Sequence, residues 1–272
     1  MHRRYLVAAF AAMSFLISAA PAGAITGGEP DGDGHPNVGL HYFTQLDGTF
    51  RCSNTLIAPR LVLTAAHCTE NVIGRALVTF DNPAPLRPAA GGDPSRFATG
   101  SAYASPKWTG KLQNTRLNDI GMIVLDRPAA EVWAGIQPVA LASLGLLDRL
   151  GAKGGLKKTA FTLVGYGVYF EKPADGPQKQ QAVRDRIRRV TTAGIQNITS
   201  DVIKFLENDA NSTFGGGSCF GDSGGPAFLG GVQVGVTSFG GAQFCTGMGG
   251  YQRTENQDAR DFIQGFLDLY PS

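Results

Sequence analysis

The chain has 272 residues, with 24 lysines and arginines against 22 aspartates and glutamates, which gives a formal net charge of +2. A charge this close to zero argues against nucleic acid or an anionic membrane as the main partner. The length is enough for one large all-β domain or two small ones, with a core that needs no extra cross-links.

The first 24 residues predict a secretory signal peptide. Arg3 and Arg4 form a short basic start, residues 6–20 are almost wholly apolar, and Ala22-Gly23-Ala24 is a small-x-small cleavage site. The apolar run of about 15 residues is short for a membrane-spanning helix, which needs about 20. We therefore expect cleavage after Ala24, a mature chain that begins at Ile25, an extracellular location, and no membrane association once the leader is removed.

The rest of the chain predicts short strands separated by turns, and one terminal helix. Gly-, Pro- or polar-rich segments at 29–37, 81–96 and 169–184 are predicted loops, and residues 143–158 are the expected passage between two halves. From Ala259 to Tyr270 the apolar residues are spaced 3, 1, 3, 1 and 3, which predicts an amphipathic helix. Predicted strands lie at residues 38–43, 50–57, 60–64, 72–80, 97–105, 159–164, 187–198, 202–206, 226–229 and 232–239, and a further apolar strand follows Asp119.

Four cysteines follow the leader, at Cys52, Cys68, Cys219 and Cys245. An even number in an exported chain predicts two disulfides, and three pairings are open. A zinc site is the rival interpretation, but the chain has no Cys-x-x-Cys pair, so we expect no metal and no cofactor.

The stretch Gly221-Asp222-Ser223-Gly224-Gly225-Pro226 holds a serine in a Gly-rich bend. Glycine permits φ > 0 and close approach to the backbone, which suits a nucleophile beside N–H groups that bind an oxyanion. Alone, such a run fits a surface turn about as well. Catalysis needs a base and an acid that orients the base.

Two residues elsewhere in the chain can supply that base and acid. His67 ends a predicted strand between small residues and a cysteine, whereas His35 and His41 are interpreted as a solvated and a packed histidine. Asp119 precedes an apolar strand that would draw it inside, where a carboxylate needs a hydrogen-bonding or charged partner.

Together these segments resemble the trypsin/chymotrypsin family of serine endopeptidases, of a secreted, microbial type. Leu63-Thr64-Ala65-Ala66-His67-Cys68 is similar to the family's histidine motif, Asn118-Asp119-Ile120 to its aspartate motif, and residues 221–226 to its serine motif. The order histidine, aspartate, serine differs from that of subtilisins and α/β-hydrolases.

The resemblance implies an all-β fold of two six-stranded antiparallel β-barrels with a C-terminal helix. Residues 25–148 would form the N-terminal barrel with His67 and Asp119. Residues 149–272 would form the C-terminal barrel with Ser223, the specificity pocket and the terminal helix, and the two would make one peptidase domain.

The resemblance also implies the residue roles, which follow the general template of the triad. Ser223 is the nucleophile, His67 the general base, Asp119 the orienting acid, and the N–H groups of Gly221 and Ser223 the oxyanion hole. The implied disulfides are Cys52–Cys68 and Cys219–Cys245.

In this family the aspartate before the serine pairs with a new N-terminal ammonium, which here implies an ion pair between Asp222 and Ile25. Thr26 stands where valine is usual, and Ala24, not a basic residue, precedes Ile25. We therefore expect signal peptidase itself to expose Ile25, without a zymogen stage.

The predicted specificity pocket consists of Gly217, Ser238, Gly240 and Gly249. Gly217 lies six residues before the serine, where Arg- or Lys-directed members carry aspartate, and Phe239 replaces the usual tryptophan. Three glycines predict an open, uncharged pocket and cleavage after a large apolar residue such as Phe, Tyr, Leu or Met.

The expected partners are protein or peptide substrates of a monomeric enzyme, and not nucleic acid. Two alternatives share the fold: a non-catalytic binding protein, and an esterase for small substrates. The triad together with Gly221 favours the peptidase, because a binding module has no need of all four residues.

Overall fold

The computed structural model describes residues 28–111, 117–171, 181–207, 214–240 and 245–271. The predicted signal peptide and Ile25 lie outside these residues. Residues 28–271, with those gaps, form two β-barrels packed together, which confirms the predicted fold class.

The first barrel is a closed ring of six antiparallel strands in the order β2-β3-β4-β7-β6-β5. Its first hairpin turns at Asp47-Gly48, where Gln45 pairs with Gly48 and the glycine takes φ 150°. The apolar strands β4 and β7 are wholly buried and pair with each other in the barrel wall. The strands are β2 (Val38–Gln45), β3 (Gly48–Ala58), β4 (Leu61–Thr64), β5 (Ala76–Thr79), β6 (Ala98–Ala104) and β7 (Gly121–Leu125), preceded by β1 (Glu29–Pro30).

The second barrel closes in the order β8-β11-β12-β15-β14-β13, with β8 and β11 also paired. Strand β1 pairs antiparallel with β11, so the N-terminal segment of the first half is hydrogen-bonded to the second barrel. A separate hairpin is formed by β9 and β10. The strands are β8 (Ala160–Gly165), β9 (Tyr169–Glu171), β10 (Gln181–Val183), β11 (Arg189–Ile198), β12 (Val202–Glu207), β13 (Pro226–Leu229), β14 (Val232–Phe239) and β15 (Gly247–Arg253).

Two helices are present, α1 (Leu146–Ala152) and α2 (Gln257–Leu269). The side chain of Asn256 caps α2 by accepting the N–H of Ala259, and Ala259 and Ile263 are buried in a core shared with strands of the first barrel. Helix α2 therefore packs the C-terminal segment of the second half against the first barrel. Within the described residues, no helix has the length and apolar character that crossing a bilayer would require.

Several elements differ from the sequence-based expectation. The strand predicted over 72–80 is limited to Ala76–Thr79, the passage at 143–158 contains α1, and the loop predicted over 169–184 contains β9 and β10. Strand β15 was not predicted, because Gly247–Arg253 is rich in glycine, which weakens the usual strand signal.

Candidate active site

His67 is placed by the sharp end of β4. The chain leaves that strand into a short 3-10 helix, Ala66–Cys68, and Cys68 is joined to Cys52 on β3 by a disulfide of 2.02 Å. The His67 N–H donates to Oδ1 of Asp119 at 2.9 Å, and its Nδ1 lies 2.8 Å from Oδ2 of the same carboxylate. Two hydrogen bonds therefore fix both the ring and its backbone against one acid.

Asp119 is fully buried just before β7. Its carboxylate accepts a hydrogen bond from the Ser238 hydroxyl, and its own N–H donates to Oε1 of Gln252 at 3.2 Å. Ser238 and Gln252 belong to the second barrel, whereas Asp119 and His67 belong to the first. The acid is thus held from both halves of the molecule, and a buried carboxylate with these partners stays satisfied.

The pKa of His67 lies above its ordinary value of 6.5. Burial alone would lower this pKa, but the adjacent Asp119 carboxylate raises it by charge attraction and by its hydrogen bond. A histidine held in this way is oriented, and its protonated form is stabilised.

The backbone around Ser223 is held in a tight loop. The N–H of Asp222 donates to the carbonyl of Cys219 at 3.0 Å, the N–H of Gly225 donates to the carbonyl of Asp222 at 2.8 Å, and Gly221 takes φ 98°. Within the described part of the chain, the N–H groups of Gly221 and Ser223 donate no hydrogen bond.

Ser53 on β3 binds this loop from the first barrel. Its N–H donates to the carbonyl of Ser223 at 2.8 Å, and its hydroxyl donates to the carbonyl of Gly221 at 2.9 Å. Sequence reasoning did not single out Ser53, because only the packing of the two barrels brings it to the loop.

One cavity of about 280 Å³ joins these groups. His67 and Ser223 both line it, together with Ser218, Phe220, Phe239 and the disulfide between Cys219 and Cys245. Phe220 is 62% exposed at this cavity. His67 and Ser223 therefore open onto a common, largely apolar space.

The predicted pocket residues fall into two pairs. Ser238 and Gly240 line the cavity, whereas Gly217 and Gly249 lie against the side chain of Glu207. A Cβ added at Gly217 would lie 2.1 Å from Glu207 Cβ, and one added at Gly249 would lie 2.1 Å from Glu207 Oε1. An ionisable side chain therefore occupies the space beside two of the three glycines, which the sequence did not indicate.

Glu207 ends strand β12 and is 2% exposed. Its Oε1 accepts hydrogen bonds from the N–H of Ser218 at 2.9 Å, from the Ser218 hydroxyl at 2.8 Å and from the Tyr251 hydroxyl at 2.8 Å. Burial raises the pKa of Glu207 to about 7, although the hydrogen bonds from Ser218 and Tyr251 act in the opposite direction. A polar strand residue so close to the glycines was not predicted.

Asp222 points away from the cavity into the protein. Its Oδ1 accepts the N–H of Gly167 at 2.7 Å and its Oδ2 accepts the N–H of Cys219 at 2.8 Å. Burial raises the pKa of this carboxyl to about 7. The predicted partner, Ile25, lies outside the described residues.

A second histidine, His41, lies in the core close to cysteine sulfur. It lies with Cys52 and Cys68 in a buried group, but both sulfurs are joined in a disulfide and offer no thiolate to a metal. Burial lowers the pKa of His41 to about 3, so its ring is neutral and packed in the core. These residues do not fit a metal site.

Comparison with known proteins places these features in a family. Residues 25–263 match the family model described as Trypsin. Brachyurin of Leptuca pugilator is 29% identical over 210 residues, which cover 74% of this chain and 80% of that protein. Human kallikrein-11 is 29% identical over 193 residues, which cover 70% of this chain and 62% of that protein.

A solved structure of HL collagenase shares the fold. It superimposes with a TM-score of 0.64 at 21% identity and covers 90% of this chain and 97% of the other. The match to the family model, which spans most of the chain, and the common fold lead to one conclusion: this chain belongs to the trypsin family of serine proteases.

Proposed function

We propose that the chain is a secreted endopeptidase that hydrolyses peptide bonds through an acyl-enzyme on Ser223. The observation that carries the proposal is the hydrogen-bonded pair of His67 and Asp119, in which His67 lines the same cavity as Ser223. A free serine hydroxyl is a weak nucleophile and needs a base that is itself oriented by a third group.

In acylation, Ser223 Oγ attacks the scissile carbonyl carbon and its proton passes to Nε2 of His67. The carbonyl oxygen becomes an oxyanion, which accepts hydrogen bonds from the N–H groups of Gly221 and Ser223. When the C–N bond breaks, His67 returns the proton to the leaving amine. Water then attacks the acyl-enzyme with His67 again as base, and releases the acid and Ser223.

Asp119 keeps the proton of His67 on Nδ1, so that Nε2 is free to accept the proton from Ser223. Its negative charge also stabilises the imidazolium that forms. The raised pKa of His67 supports this role, because the cause of the rise is the Asp119 carboxylate.

The donors of the proposed oxyanion hole are supported by the loop geometry. Gly221 has positive φ, which favours glycine, and Ser53 binds the carbonyls of Gly221 and Ser223. Loss of one such donor costs about 3 kcal/mol of transition-state stabilisation in comparable enzymes.

The residue preferred at P1, the substrate residue before the scissile bond, depends on two parts of the pocket. Phe220, Phe239 and the Cys219–Cys245 disulfide give an apolar lining, which supports the large apolar residue that the sequence favours. The carboxyl of Glu207, which accepts a hydrogen bond from Ser218, instead favours a P1 side chain with an apolar stem and a polar end.

Secretion is supported by the predicted leader and by the two disulfides, which persist in oxidising compartments. The substrates would then be extracellular proteins or peptides.

The test is cleavage of a diverse peptide mixture by the secreted protein and by its Ser223→Ala variant, read by mass spectrometry. We expect internal cleavages that Ser223→Ala abolishes. The matched control is Ser200→Ala, at an exposed serine in a bend, which should cleave like the wild type.

The alternatives give different results in the same experiment. Cleavage of small esters without cleavage of peptides would favour the esterase alternative. No Ser223-dependent product from either substrate class would overturn the enzymatic proposal in favour of the binding protein.

A further inference from the structure

Glu207 is the last residue of strand β12, and no motif of the sequence identifies it. Strand β12 pairs with β15, so that Phe205 lies opposite Gly249 and Glu207 opposite Gly247. This register places Glu207 beside Gly249, one of the glycines of the predicted pocket.

Gly217 and Gly249 create the space that Glu207 fills. A Cβ at Gly217 would overlap Cβ and Cγ of Glu207 at 2.1 and 2.5 Å, and a Cβ at Gly249 would overlap both carboxyl oxygens at 2.1 and 2.5 Å. Side-chain atoms do not approach this closely, so any other residue at either position would displace the carboxyl. Because both positions are glycine, the Glu207 side chain has room to lie beside the predicted pocket.

Ser218 connects Glu207 to the cavity. It lines the cavity with His67 and Ser223, and both its N–H and its hydroxyl donate to Oε1 of Glu207. The carboxyl thus lies directly behind Ser218, which forms part of the cavity wall.

Glu207 differs from two other acids whose side chains are buried and paired with arginine. Asp31 is paired with Arg188 at 2.7 Å, and Glu255 with Arg253 at 2.8 Å. Within the described residues Glu207 forms no ion pair, and its three hydrogen-bond donors are neutral. Burying a carboxylate without a cation is costly, so a cation that reaches it gains a strong interaction.

We propose that Glu207 is the specificity-determining acid of the pocket and that it selects an arginine or lysine at P1. The apolar lining from Phe220, Phe239 and the Cys219–Cys245 disulfide would accommodate the methylene stem, and Ser218 and Glu207 would bind the cationic end. This inference rests on the proposed peptidase function and replaces the expectation of a large apolar P1 residue.

The first test uses peptide substrates that differ only at P1, with Arg, Lys, Phe, Leu or Ala. For the wild type, kcat/KM should be higher for Arg than for Phe. In Glu207→Gln the Arg:Phe ratio should fall by about thirtyfold or more, the loss expected when one partner of a desolvated charge pair is removed. Glu131→Gln, which removes an exposed carboxylate, should keep the wild-type ratio.

Two outcomes of this first test would overturn the inference. One is a wild type that prefers Phe, Leu or Ala. The other is Glu207→Gln with an unchanged ratio, including a uniform loss for all substrates, which would assign Glu207 a purely structural role.

The second test needs no catalysis and so separates this inference from the proposed function. Benzamidine, a small aromatic cation, is titrated calorimetrically into Ser223→Ala, alone and combined with Glu207→Gln, with benzyl alcohol as the neutral counterpart. Binding of benzamidine that weakens in the double variant supports the inference, even if no peptide is cleaved. If benzamidine binds no better than benzyl alcohol to the folded Ser223→Ala protein, the inference is wrong, whatever the activity of the wild type.

Discussion

The Ser53 hydroxyl donates a hydrogen bond to the carbonyl oxygen of Gly221 at 2.9 Å and in turn accepts the N–H of Tyr166 at 2.9 Å. Ser53 belongs to the first barrel, and both of its partners belong to the second. The backbone of the proposed oxyanion hole is therefore positioned across the boundary between the barrels, by a side chain that does not line the cavity.

Ser53→Ala should lower kcat with little change in KM. The variant removes one hydrogen bond worth about 1 kcal/mol, which corresponds to about fivefold in rate if the Gly221 peptide loosens in the transition state. Steady-state kinetics on one peptide would measure the effect, with Ser200→Ala as the control. A rise in KM at unchanged kcat would contradict a positioning role for Ser53.

Ser238→Ala should move the pH dependence of activity. Activity requires neutral His67, so kcat/KM falls as the pH drops through the pKa of His67, which lies above its ordinary 6.5. Without the Ser238 hydroxyl, the Asp119 carboxylate interacts more strongly with the imidazolium, so this pKa should rise.

The acid limb of the Ser238→Ala profile should therefore shift to higher pH, by up to about one unit, the equivalent of about 1.4 kcal/mol. The measurement is kcat/KM against pH for both proteins. An acid limb that stays in place or moves to lower pH would show that Ser238 does not act on His67 through Asp119.

The secreted protein should begin at Ile25, and its free amine should be required for activity. The Asp222 carboxyl is fully enclosed, and burial raises its pKa to about 7, so an ammonium partner would keep it ionised. A residue added before Ile25 should lower kcat/KM by about a hundredfold or more, since loss of one partner of a buried ion pair costs about 3–5 kcal/mol. N-terminal sequencing tests the premise, and a start at Glu29 or beyond would end it.

Gly249→Ala should destabilise the protein, whereas Gly240→Ala should not. The new Cβ at position 249 meets the Glu207 carboxyl at 2.1 Å, but nothing lies within 4 Å of a Cβ at Gly240. Overpacking of this kind costs roughly 1–3 kcal/mol. Thermal unfolding of the two variants compares them directly, and equal midpoints would show that Glu207 moves aside freely.

The sequence predicted the parts of the site that are local in the chain. The motifs around His67, Asp119 and Ser223 each occupy a few consecutive residues, and strands such as Leu61–Thr64 are marked by continuous apolar runs. Such signals depend on near neighbours, so they can be read without knowledge of the packing.

The missed features depend on contacts between distant segments. Glu207 reaches Gly249 through the register of β12 with β15, and Ser53 reaches Gly221 across 168 residues. Strand β15 carries glycines where other groups need space, since a Cβ at Gly250 would lie 2.1 Å from the Phe239 ring. Glycine also lowers strand propensity, so the same residues that allow β15 to pack closely made it unrecognisable as a strand in the sequence.

The most direct test of the account is to trap the acyl-enzyme. The wild type is mixed with excess p-nitrophenyl ester, quenched in acid within the first turnover, and analysed by intact mass and peptide mapping. We predict a burst of p-nitrophenol and one acyl group on Ser223, both absent from Ser223→Ala. An active enzyme that shows neither a burst nor an acyl group, or that carries the acyl group elsewhere, would contradict the central claim.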